Sequence, residues 1–431
     1  MAAGLSVEQV QPARTFRAAL RVPGDKSIAH RALLLGSIAG GRSRIEGVPQ
    51  GEDVAATIAC LRRLGATIEA DGGGLLVGGR PIAEWDSGPA SLDCRNSGTT
   101  MRLLAGLLAG SPVRATLSGD GSLSSRPMDR IASPLRLMGA AIETTEGHPP
   151  LRVEGRRLEG IRHRVSPPSA QVKSALLLAG LQAEGRTCVL EGVPTRDHGE
   201  RLLTAMGATV RRAPGEVCIE GQQAPLRPLE IAIPGDLSSA AFLLAAASLR
   251  GGWTALIEGV GLNPTRTAFL DLLEEMGVSL SRQPEAFEIE PRGVIRVAGG
   301  ALRAVRVEPE RVARAIDEIP IITVLATQAS GRTVISGVSE LRVKESDRVR
   351  AMARGLSAMG ATLEEQEDRI VIEGPAPLRG AAVDAAQDHR VAMALAVAGL
   401  VASSPTTIHG ADRVDVSYPG FFDVLRRATG G

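Results

Sequence analysis

A helix-ending phrase that recurs six times constrains this 431-residue chain more than any other feature. In each copy a leucine-rich run leads to a glycine that is usually followed by alanine. The six glycines are Gly65, Gly139, Gly207, Gly277, Gly360 and Gly430, which fall 74, 68, 70, 83 and 70 residues apart. Because glycine commonly ends helices, each copy predicts one helix. Short alternating runs after most copies predict a pair of strands.

A second and more apolar helix is predicted upstream of each phrase. Its N-cap residue is expected to be a serine or an aspartate, because their side-chain oxygens accept hydrogen bonds from the first backbone N–H groups. The predicted N-caps are Ser27, Ser97, Ser169, Ser238, Asp317 and Asp388. The helix bodies are apolar on all sides, which predicts burial. Each repeat should therefore form a strand–helix–strand–helix–strand–strand unit with one buried helix and one outer helix.

Six such units exceed what a single hydrophobic core supports. The predicted fold is therefore α/β, with two globular domains of three βαβαββ units each (inverse α/β barrel-like) and a ligand cleft between them. Prolines near residue 230 mark the crossover. The N-terminal-half domain is expected at 23–232, and the C-terminal-half domain at 1–22 plus 233–431, closed by the first strand. Converging helix N-termini, each with about half a positive charge, would suit a small, multiply anionic ligand.

Composition disfavours several classes of function. The formal net charge is +1 and aromatic residues make up 2%, which indicates neither a nucleic-acid partner nor a membrane surface. The four cysteines (Cys60, Cys94, Cys188 and Cys218) form no C-x-x-C pair and no Cys/His cluster. Buried thiols are expected rather than a disulfide or a zinc site. We recognise no signal peptide and no membrane-spanning run, so a cytoplasmic protein is predicted.

Only three of the 49 basic residues are lysines: Lys26, Lys173 and Lys344. A lysine ammonium is a compact charge that loses its proton when desolvated, whereas an arginine guanidinium is planar and stays protonated. Lys26 and Lys344 lie among hydroxyls and charges at predicted helix starts, where backbone N–H groups favour anions. Lys173 is equally consistent with chance retention in an arginine-rich chain.

Other charged residues cluster at predicted helix starts. Arginines there are not explained by capping, because the helix dipole repels cations, but a bound anion explains them. Asp317 and Glu345 are candidate general bases; the alternatives are an N-cap and a surface ion pair. His30 and His389 are nominal acid/base candidates, although such histidines are more often structural. Neither G-x-x-x-x-G-K-[ST] nor G-x-G-x-x-G is present, which disfavours a nucleotide-binding loop.

These segments resemble the family of 5-enolpyruvylshikimate-3-phosphate synthases over nearly the whole chain. The motifs are Pro23–Arg31, Asn96-Ser97-Gly98-Thr99, Ser125-Arg126-Pro127-Met128, Ser169-Ala170-Gln171, Asp317-Glu318, Leu341–Arg348 and Asp388-His389-Arg390. The Thr195-Arg196-Asp197-His198 segment and the Val at position 416, where many members have Lys, resemble the second class of the family.

The resemblance implies an enolpyruvyl transferase of the shikimate pathway. Phosphoenolpyruvate would react with the 5-hydroxyl of shikimate 3-phosphate through a tetrahedral intermediate and release phosphate. The implied partners are these two small molecules, with no metal or organic cofactor, no nucleic acid and no membrane, and the implied assembly is a monomer. Gly98 further implies inhibition by glyphosate, although Leu103 stands where many sensitive members have Pro.

The resemblance also implies roles for individual residues. The expected shikimate 3-phosphate ligands are Lys26, Ser27, Arg31, Ser169, Ala170, Gln171, Arg196, Asp317 and Lys344. The expected phosphoenolpyruvate ligands are Lys26, Gly98, Arg126, Gln171, Arg348 and Arg390. Asp317 would be the base for the attacking hydroxyl. Glu345, with Lys26, would carry the proton for the enol carbon.

Two other interpretations stay open at the level of sequence. One is the sister transferase that acts on UDP-N-acetylglucosamine, although Gly121 stands where that enzyme has a reactive cysteine and Ser27 stands where it has Asn. The other is a non-catalytic module of the same units that binds anions or RNA, which the near-zero charge and scarce aromatics disfavour.

Overall fold

The computed structural model describes residues 6–221 and 224–430. The helices are α1 (Lys26–Ser37), α2 (Glu52–Arg63), α3 (Gly98–Leu108), α4 (Gly121–Ser124), α5 (Asp129–Leu137), α6 (Ala170–Gly180), α7 (His198–Ala205), α8 (Leu237–Ser248), α9 (Ala268–Glu275), α10 (Pro309–Arg314), α11 (Ile319–Gln328), α12 (Arg348–Ala358), α13 (His389–Val401) and α14 (Phe421–Thr429).

The strands are β1 (Val7–Val10), β2 (Arg17–Leu20), β3 (Gly41–Glu46), β4 (Thr67–Asp71), β5 (Gly74–Gly79), β6 (Pro89–Asp93), β7 (Arg114–Ser118), β8 (Ala141–Thr145), β9 (His148–Glu154), β10 (Leu158–Glu159), β11 (Arg162–Val165), β12 (Ala183–Glu184), β13 (Arg186–Glu191), β14 (Val210–Ala213), β15 (Glu216–Glu220), β16 (Glu230–Ala232), β17 (Thr254–Gly261), β18 (Ser279–Pro284), β19 (Arg292–Ala298), β20 (Arg306–Val307), β21 (Gly331–Ser336), β22 (Thr362–Gln366), β23 (Arg369–Gly374), β24 (Ala382–Asp384) and β25 (Thr406–His409).

The chain divides into two compact units: the N-terminal unit, Gly24–Ile233, and the C-terminal unit, Met1–Pro23 with Pro234–Gly431. The N-terminal unit contains three four-stranded sheets, in the orders β16-β3-β5-β4, β6-β7-β9-β8 and β11-β13-β15-β14. In each sheet the first two strands are parallel and the remaining neighbours are antiparallel. This pattern is the expected βαβαββ unit, repeated three times.

The C-terminal unit repeats the pattern with two modifications at its ends. Its sheets have the orders β18-β19-β17-β2, β20-β21-β23-β22 and β1-β25-β24. Strand β2 pairs in parallel with β17. The third sheet has one strand fewer than the other two. In it, β25 pairs antiparallel with the N-terminal strand β1, a pairing that the sequence pattern did not predict.

In the described part of the chain, six buried helices form the cores of the two units. They are α1, α3 and α6 in the N-terminal unit and α8, α11 and α13 in the C-terminal unit. Every residue of α8 and of α13 is buried. The outer helices bury one face each, as in α12. Burial therefore follows the apolar pattern that the sequence shows.

Three predicted N-caps are wrong. The side chain of Asp25, not Ser27, caps α1 by accepting from the Ile28 N–H, and Asp236, not Ser238, caps α8. A carboxylate is a strong acceptor at a helix N-terminus, so two acidic residues upstream of the serines begin these helices. Helix α11 has Glu318 at its N-cap, so Asp317 lies just before the helix. The predicted caps Ser97, Ser169 and Asp388 are confirmed.

The expectation that no disulfide forms is wrong for one pair of cysteines. Cys188 on β13 lies directly opposite Cys218 on the antiparallel strand β15, with 4.0 Å between the Cα atoms, and the two form a disulfide. Their sequence separation of 30 residues conceals this contact, because strand register is decided by the fold. Cys60 and Cys94 are buried thiols, as expected.

No helix among the described residues is long and apolar enough to cross a membrane.

Candidate active site

The first candidate cluster lies at the start of α1 in the N-terminal unit. An added Cβ on Gly24 would lie 1.9 Å from the Gly47 carbonyl oxygen, so the close approach of two backbone segments requires glycine here. Helix α1 begins two residues later with Lys26. The Lys26 Nζ lies 2.7 Å from Oδ2 of Asp53 on α2. This ion pair fixes the ammonium at the helix start, and the sequence analysis did not identify its acidic member.

Ser27 and two arginines form a connected group beside Lys26. Arg196 Nη1 donates to Ser27 Oγ over 3.2 Å. Arg31 Nη1 donates to the Ser27 carbonyl oxygen over 2.8 Å, and its Nη2 donates to Ser174 Oγ on α6 over 2.8 Å. The structure therefore brings together Lys26, Ser27, Arg31 and Arg196, which the sequence places up to 170 residues apart.

The start of α6 contributes the Ser169-Ala170-Gln171 motif to the same cluster. Ser169 caps the helix, and the carbonyl oxygen of Ala170 accepts from Arg31 Nη2 over 3.4 Å. Gln171 Nε2 donates to Thr99 Oγ1 over 2.9 Å, and its Oε1 accepts from Arg102 Nη1 over 2.7 Å. The sequence analysis did not assign Arg102 to the site.

Gly98 and Arg126 meet at the start of α3. Arg126 is buried, and its Nη2 donates to Asn96 Oδ1 over 2.6 Å and to Ser122 Oγ over 3.3 Å. An added Cβ on Gly98 would lie 2.9 Å from Arg102 Nη1 and 3.3 Å from Arg126 Nη1. Two guanidinium groups therefore pack against the glycine, and cations concentrate where the α3 backbone N–H groups favour an anion.

The second candidate cluster lies in the C-terminal unit around Arg348, whose side chain is 2% exposed. Its Nε lies 2.8 Å from Asp388 Oδ2, its Nη2 lies 2.6 Å from Glu345 Oε2, and its Nη1 lies 3.3 Å from Asp317 Oδ1. Burial opposes the charged form, but these three carboxylates more than offset it and raise the pKa of the Arg348 guanidinium. Arg348 is thus a permanent cation that organises three acids.

Asp317 is shared between two arginines. Its Oδ1 lies 3.4 Å from Arg390 Nε as well as 3.3 Å from Arg348 Nη1, and its carbonyl oxygen accepts from Arg390 Nη1. Two guanidinium groups therefore hold the Asp317 carboxylate in a fixed place, where a carboxylate can act as a base on a hydroxyl.

The prediction that Lys344 and Glu345 lie at a helix start is wrong. Helix α12 begins at Arg348 with Asp347 as its N-cap, so both residues lie in the preceding turn. Arg126, Arg196 and Arg266 likewise lie in the segments before α5, α7 and α9. Arg126 and Arg196 donate there to neutral side-chain oxygens, whereas Arg266 lies at ion-pair distance from Asp236 and Glu318. Lys344 is half-buried.

The two candidate histidines lie on buried helices. His30 is fully buried on α1, its Nδ1 lies 2.7 Å from Thr57 Oγ1, and burial lowers its pKa to about 3. His30 is therefore neutral at physiological pH, and we interpret it as a structural residue of the core and not as an acid or base. His389 is the first residue of α13 and is also buried.

Among the described residues, the grouping with a spacing suited to a metal ion is Cys188, Glu216 and Cys218. Two of its three members form the disulfide, so their thiolates are not available as ligands.

Comparisons with known proteins identify the family of the chain. Residues 10–425 match the family model described as EPSP synthase (3-phosphoshikimate 1-carboxyvinyltransferase). The chain is 48% identical to the 3-phosphoshikimate 1-carboxyvinyltransferase of Synechococcus sp. (strain WH7803), with 98% of each chain covered. It is 47% identical to the Acidithiobacillus ferrooxidans (strain ATCC 53993 / BNL-5-31) protein of the same name, with 97% of each covered.

The similar solved structures belong to the same family. A structure described as EPSP synthase from Acinetobacter baumannii superposes with a TM-score of 0.86 at 40% identity and with 98% of each chain covered. The predicted α/β fold is thereby confirmed, and neither alternative interpretation is favoured. The chain belongs to the EPSP synthase family of carboxyvinyltransferases.

Proposed function

We propose that this chain transfers the enolpyruvyl group of phosphoenolpyruvate to the 5-hydroxyl of shikimate 3-phosphate, and that the two clusters described above act on this one pair of substrates. The observation that carries the proposal is the arrangement at Arg348. A buried cation holds two carboxylates, Asp317 and Glu345, in one half of the molecule. A reaction that removes one proton from a hydroxyl and moves another at carbon needs two such groups.

In the proposed mechanism Asp317 accepts the proton of the 5-hydroxyl. The hydroxyl oxygen then forms a bond to C2 of phosphoenolpyruvate, while Glu345 with Lys26 delivers a proton to C3. The product of this addition is a tetrahedral intermediate. Loss of a C3 proton then restores the double bond as the C2–O bond to phosphate breaks, so that enolpyruvylshikimate 3-phosphate and phosphate are released. No step requires a change of oxidation state.

We assign phosphoenolpyruvate to Arg348 and Arg390 in the C-terminal unit and to Lys26, Gly98, Arg126 and Gln171 in the N-terminal unit. This assignment is supported by the positive charge of the arginines. Asp388 holds Arg348 and Asn96 holds Arg126, so both guanidinium groups are in place before an anion binds. A substrate carboxylate on Arg348 and Arg390 would compete with Asp317 for the same guanidinium groups. That competition would release the Asp317 carboxylate from the arginines and leave it to contact the substrate hydroxyl.

We assign shikimate 3-phosphate to the group formed by Lys26, Ser27, Arg31, Ser169, Ala170, Gln171 and Arg196, with Asp317 and Lys344 from the C-terminal unit. Two observations support this assignment. Arg31 and Arg196 both donate hydrogen bonds to Ser27, and α1 and α6 each begin beside this group with a side-chain N-cap. Hydroxyl and guanidinium groups at a helix start suit a phosphate dianion.

The direct test is phosphate release by the purified chain. Release should require both phosphoenolpyruvate and shikimate 3-phosphate and should continue in excess chelator. UDP-N-acetylglucosamine in place of shikimate 3-phosphate is the matched control and should give no release. Equal turnover with the nucleotide sugar would instead support the sister activity, and loss of turnover in chelator would contradict a mechanism without metal.

The monomeric state, the cytoplasmic location and the ligand cleft stay predictions. Small-angle scattering tests two of them together. The forward intensity should give the mass of one chain, and the radius of gyration should fall when shikimate 3-phosphate saturates the protein, because a dianion relieves the repulsion among like-charged helix ends. An unchanged radius would mean that substrate binding causes no closure.

A further inference from the structure

Lys173, the third lysine of the chain, is buried on α6 with its side chain 3% exposed. Its Nζ lies 2.8 Å from Glu191 Oε2, 2.7 Å from Glu200 Oε1 and 3.2 Å from the carbonyl oxygen of Thr195. The ammonium donates hydrogen bonds to Glu191 Oε2 and to the Thr195 carbonyl oxygen, and Glu200 Oε1 pairs with it at ion-pair distance. The planar fork of arginine does not match such a set, which explains why lysine stands at this position in an arginine-rich chain.

The charges around Lys173 are balanced by a second cation. Glu191 and Glu200 carry two negative charges, and both side chains are less than one-tenth exposed. Arg212 Nε lies 3.0 Å from Glu200 Oε2 and approaches from the more exposed side. Buried carboxylates of this kind persist only when they are paired, so the four residues form one ionic cluster. Arg212 extends it to Asp197, whose Oδ2 lies 3.5 Å from Arg212 Nη1.

The cluster holds the segment that precedes α7. Glu191 ends β13, and its Oε1 accepts from both the backbone N–H and the hydroxyl of Thr195. Lys173 donates to the carbonyl oxygen of the same residue. Both sides of the Thr195 backbone are therefore fixed by the two members of one buried ion pair.

The next residue along the chain is Arg196, which donates to Ser27 Oγ. Ser174, which follows Lys173, accepts two hydrogen bonds from Arg31. One turn of α6 thus contacts both arginines of the Ser27 group, one directly and the other through Thr195.

We propose that Lys173 is a positioning residue for shikimate 3-phosphate: with Glu191 it fixes the Thr195 backbone and so aims Arg196 at the substrate phosphate. This inference rests on the proposed assignment of Arg196 as a ligand of that substrate. Lys173 itself does not touch the substrate and acts through the 195–196 peptide.

The test is a double-mutant cycle on Lys173→Met and Arg196→Gln, read as the KM for each substrate and as kcat. Lys173→Met should raise the KM for shikimate 3-phosphate by about tenfold or more, since misplaced contacts weaken binding steeply. The KM for phosphoenolpyruvate should change much less. In the Arg196→Gln background Lys173→Met should add little, because its route to the substrate is already lost.

Ile142→Ala is the control for a general loss of stability, since Ile142 is buried on β8 of the same unit, in a different sheet from Glu191 on β13. It should lower the melting temperature and leave the KM for shikimate 3-phosphate unchanged. Glu191→Gln keeps the size of the side chain and leaves the Lys173–Glu200 pair in place, so it tests the same route if Lys173→Met does not fold. It should raise the same KM in the same direction.

The outcomes distinguish a wrong assignment of Arg196 from a wrong role for Lys173. If Arg196→Gln leaves binding of shikimate 3-phosphate unchanged, the assignment of Arg196 is wrong. If Arg196→Gln weakens binding but Lys173→Met and Glu191→Gln do not, or if the effects of Lys173→Met and Arg196→Gln simply multiply, the positioning role of Lys173 is wrong. A rise in this KM for Ile142→Ala equal to that for Lys173→Met would also overturn it, because it would indicate a general loss of stability.

Discussion

Nε of Arg348 lies 2.8 Å from Oδ2 of Asp388, and both side chains are almost completely buried. Asp388 also caps α13 by accepting from the Arg390 N–H. One carboxylate therefore links the first residue of α12 to the start of α13. Because Arg390 follows on α13, this single contact places the two arginines proposed for phosphoenolpyruvate beside Asp317.

Arg348→Gln should destabilise the protein by about 3–5 kcal/mol, because it leaves the buried Asp388 without its cation. Denaturant unfolding of the purified variant measures the change. Arg350→Gln on the same helix is the control: that side chain is 56% exposed, and its loss should cost less than about 0.5 kcal/mol. Equal stability of the two variants would show that the Arg348–Asp388 pair contributes nothing net.

Lys26→Arg should reduce kcat/KM by about 10²-fold or more while the protein stays folded. The reason is geometric, since Lys26 is paired with Asp53 over 2.7 Å and a wider guanidinium cannot occupy the same point. Circular dichroism checks the fold and phosphate release measures activity. Activity within a factor of a few of the parent would show that only the positive charge is required.

Asp317→Asn should still bind shikimate 3-phosphate in calorimetry but turn over about 10²–10⁴-fold more slowly, because the amide cannot accept the hydroxyl proton. Asp423→Asn makes the same chemical change at an exposed position of α14 and should leave activity unchanged. If Asp317→Asn fails to bind shikimate 3-phosphate, the residue belongs to recognition and another group is the base.

Gly98→Ala should weaken inhibition by glyphosate by about tenfold or more, since overpacking by one methyl group costs about 1–3 kcal/mol. The methyl would press on Arg102 and Arg126, so the KM for phosphoenolpyruvate should also rise, though less, because that ligand is shorter. Competition against phosphoenolpyruvate measures both constants.

Gly121→Ala is the control for that change, because an added Cβ there meets nothing within 4 Å. Leu103 is fully buried among the apolar residues of α3. If the parent enzyme already resists millimolar glyphosate, the argument from Gly98 fails and Leu103 becomes the residue to change.

His30 should make stability depend on pH. Its folded pKa of about 3 lies below the ordinary value of 6.5 because burial disfavours the charged ring. The unfolded chain therefore takes up the proton first, and stability falls as pH drops from about 6.5 towards 3, by up to about 1.4 kcal/mol per pH unit. Urea unfolding of His30→Asn between pH 7 and 5 should show a shallower loss than the parent. Identical slopes would mean that His30 does not titrate on unfolding.

Local pattern predicted most of the architecture. The six glycine-terminated helices, the six buried helices and the strand pairs that follow most of the glycine-terminated ones can be predicted from periodicity, because neighbouring residues show which face of an element is apolar. The family motifs likewise stand in short continuous segments, such as Pro23–Arg31. The start of α1 illustrates the limit, because Asp25 competes with Ser27 for the same backbone N–H groups and both are good caps.

The amino-acid sequence by itself determined the repeat, the α/β class, the family and the set of candidate residues. Only the tertiary structure decided which residues meet: Asp53 with Lys26, Asp388 with Arg348, Cys188 with Cys218, and Lys173 with Glu191 and Glu200. The physical reason is that an ion pair or a disulfide depends on distances of a few ångströms between elements far apart in the chain. Strand register and helix packing set those distances, and neither is encoded in the local period of apolar residues.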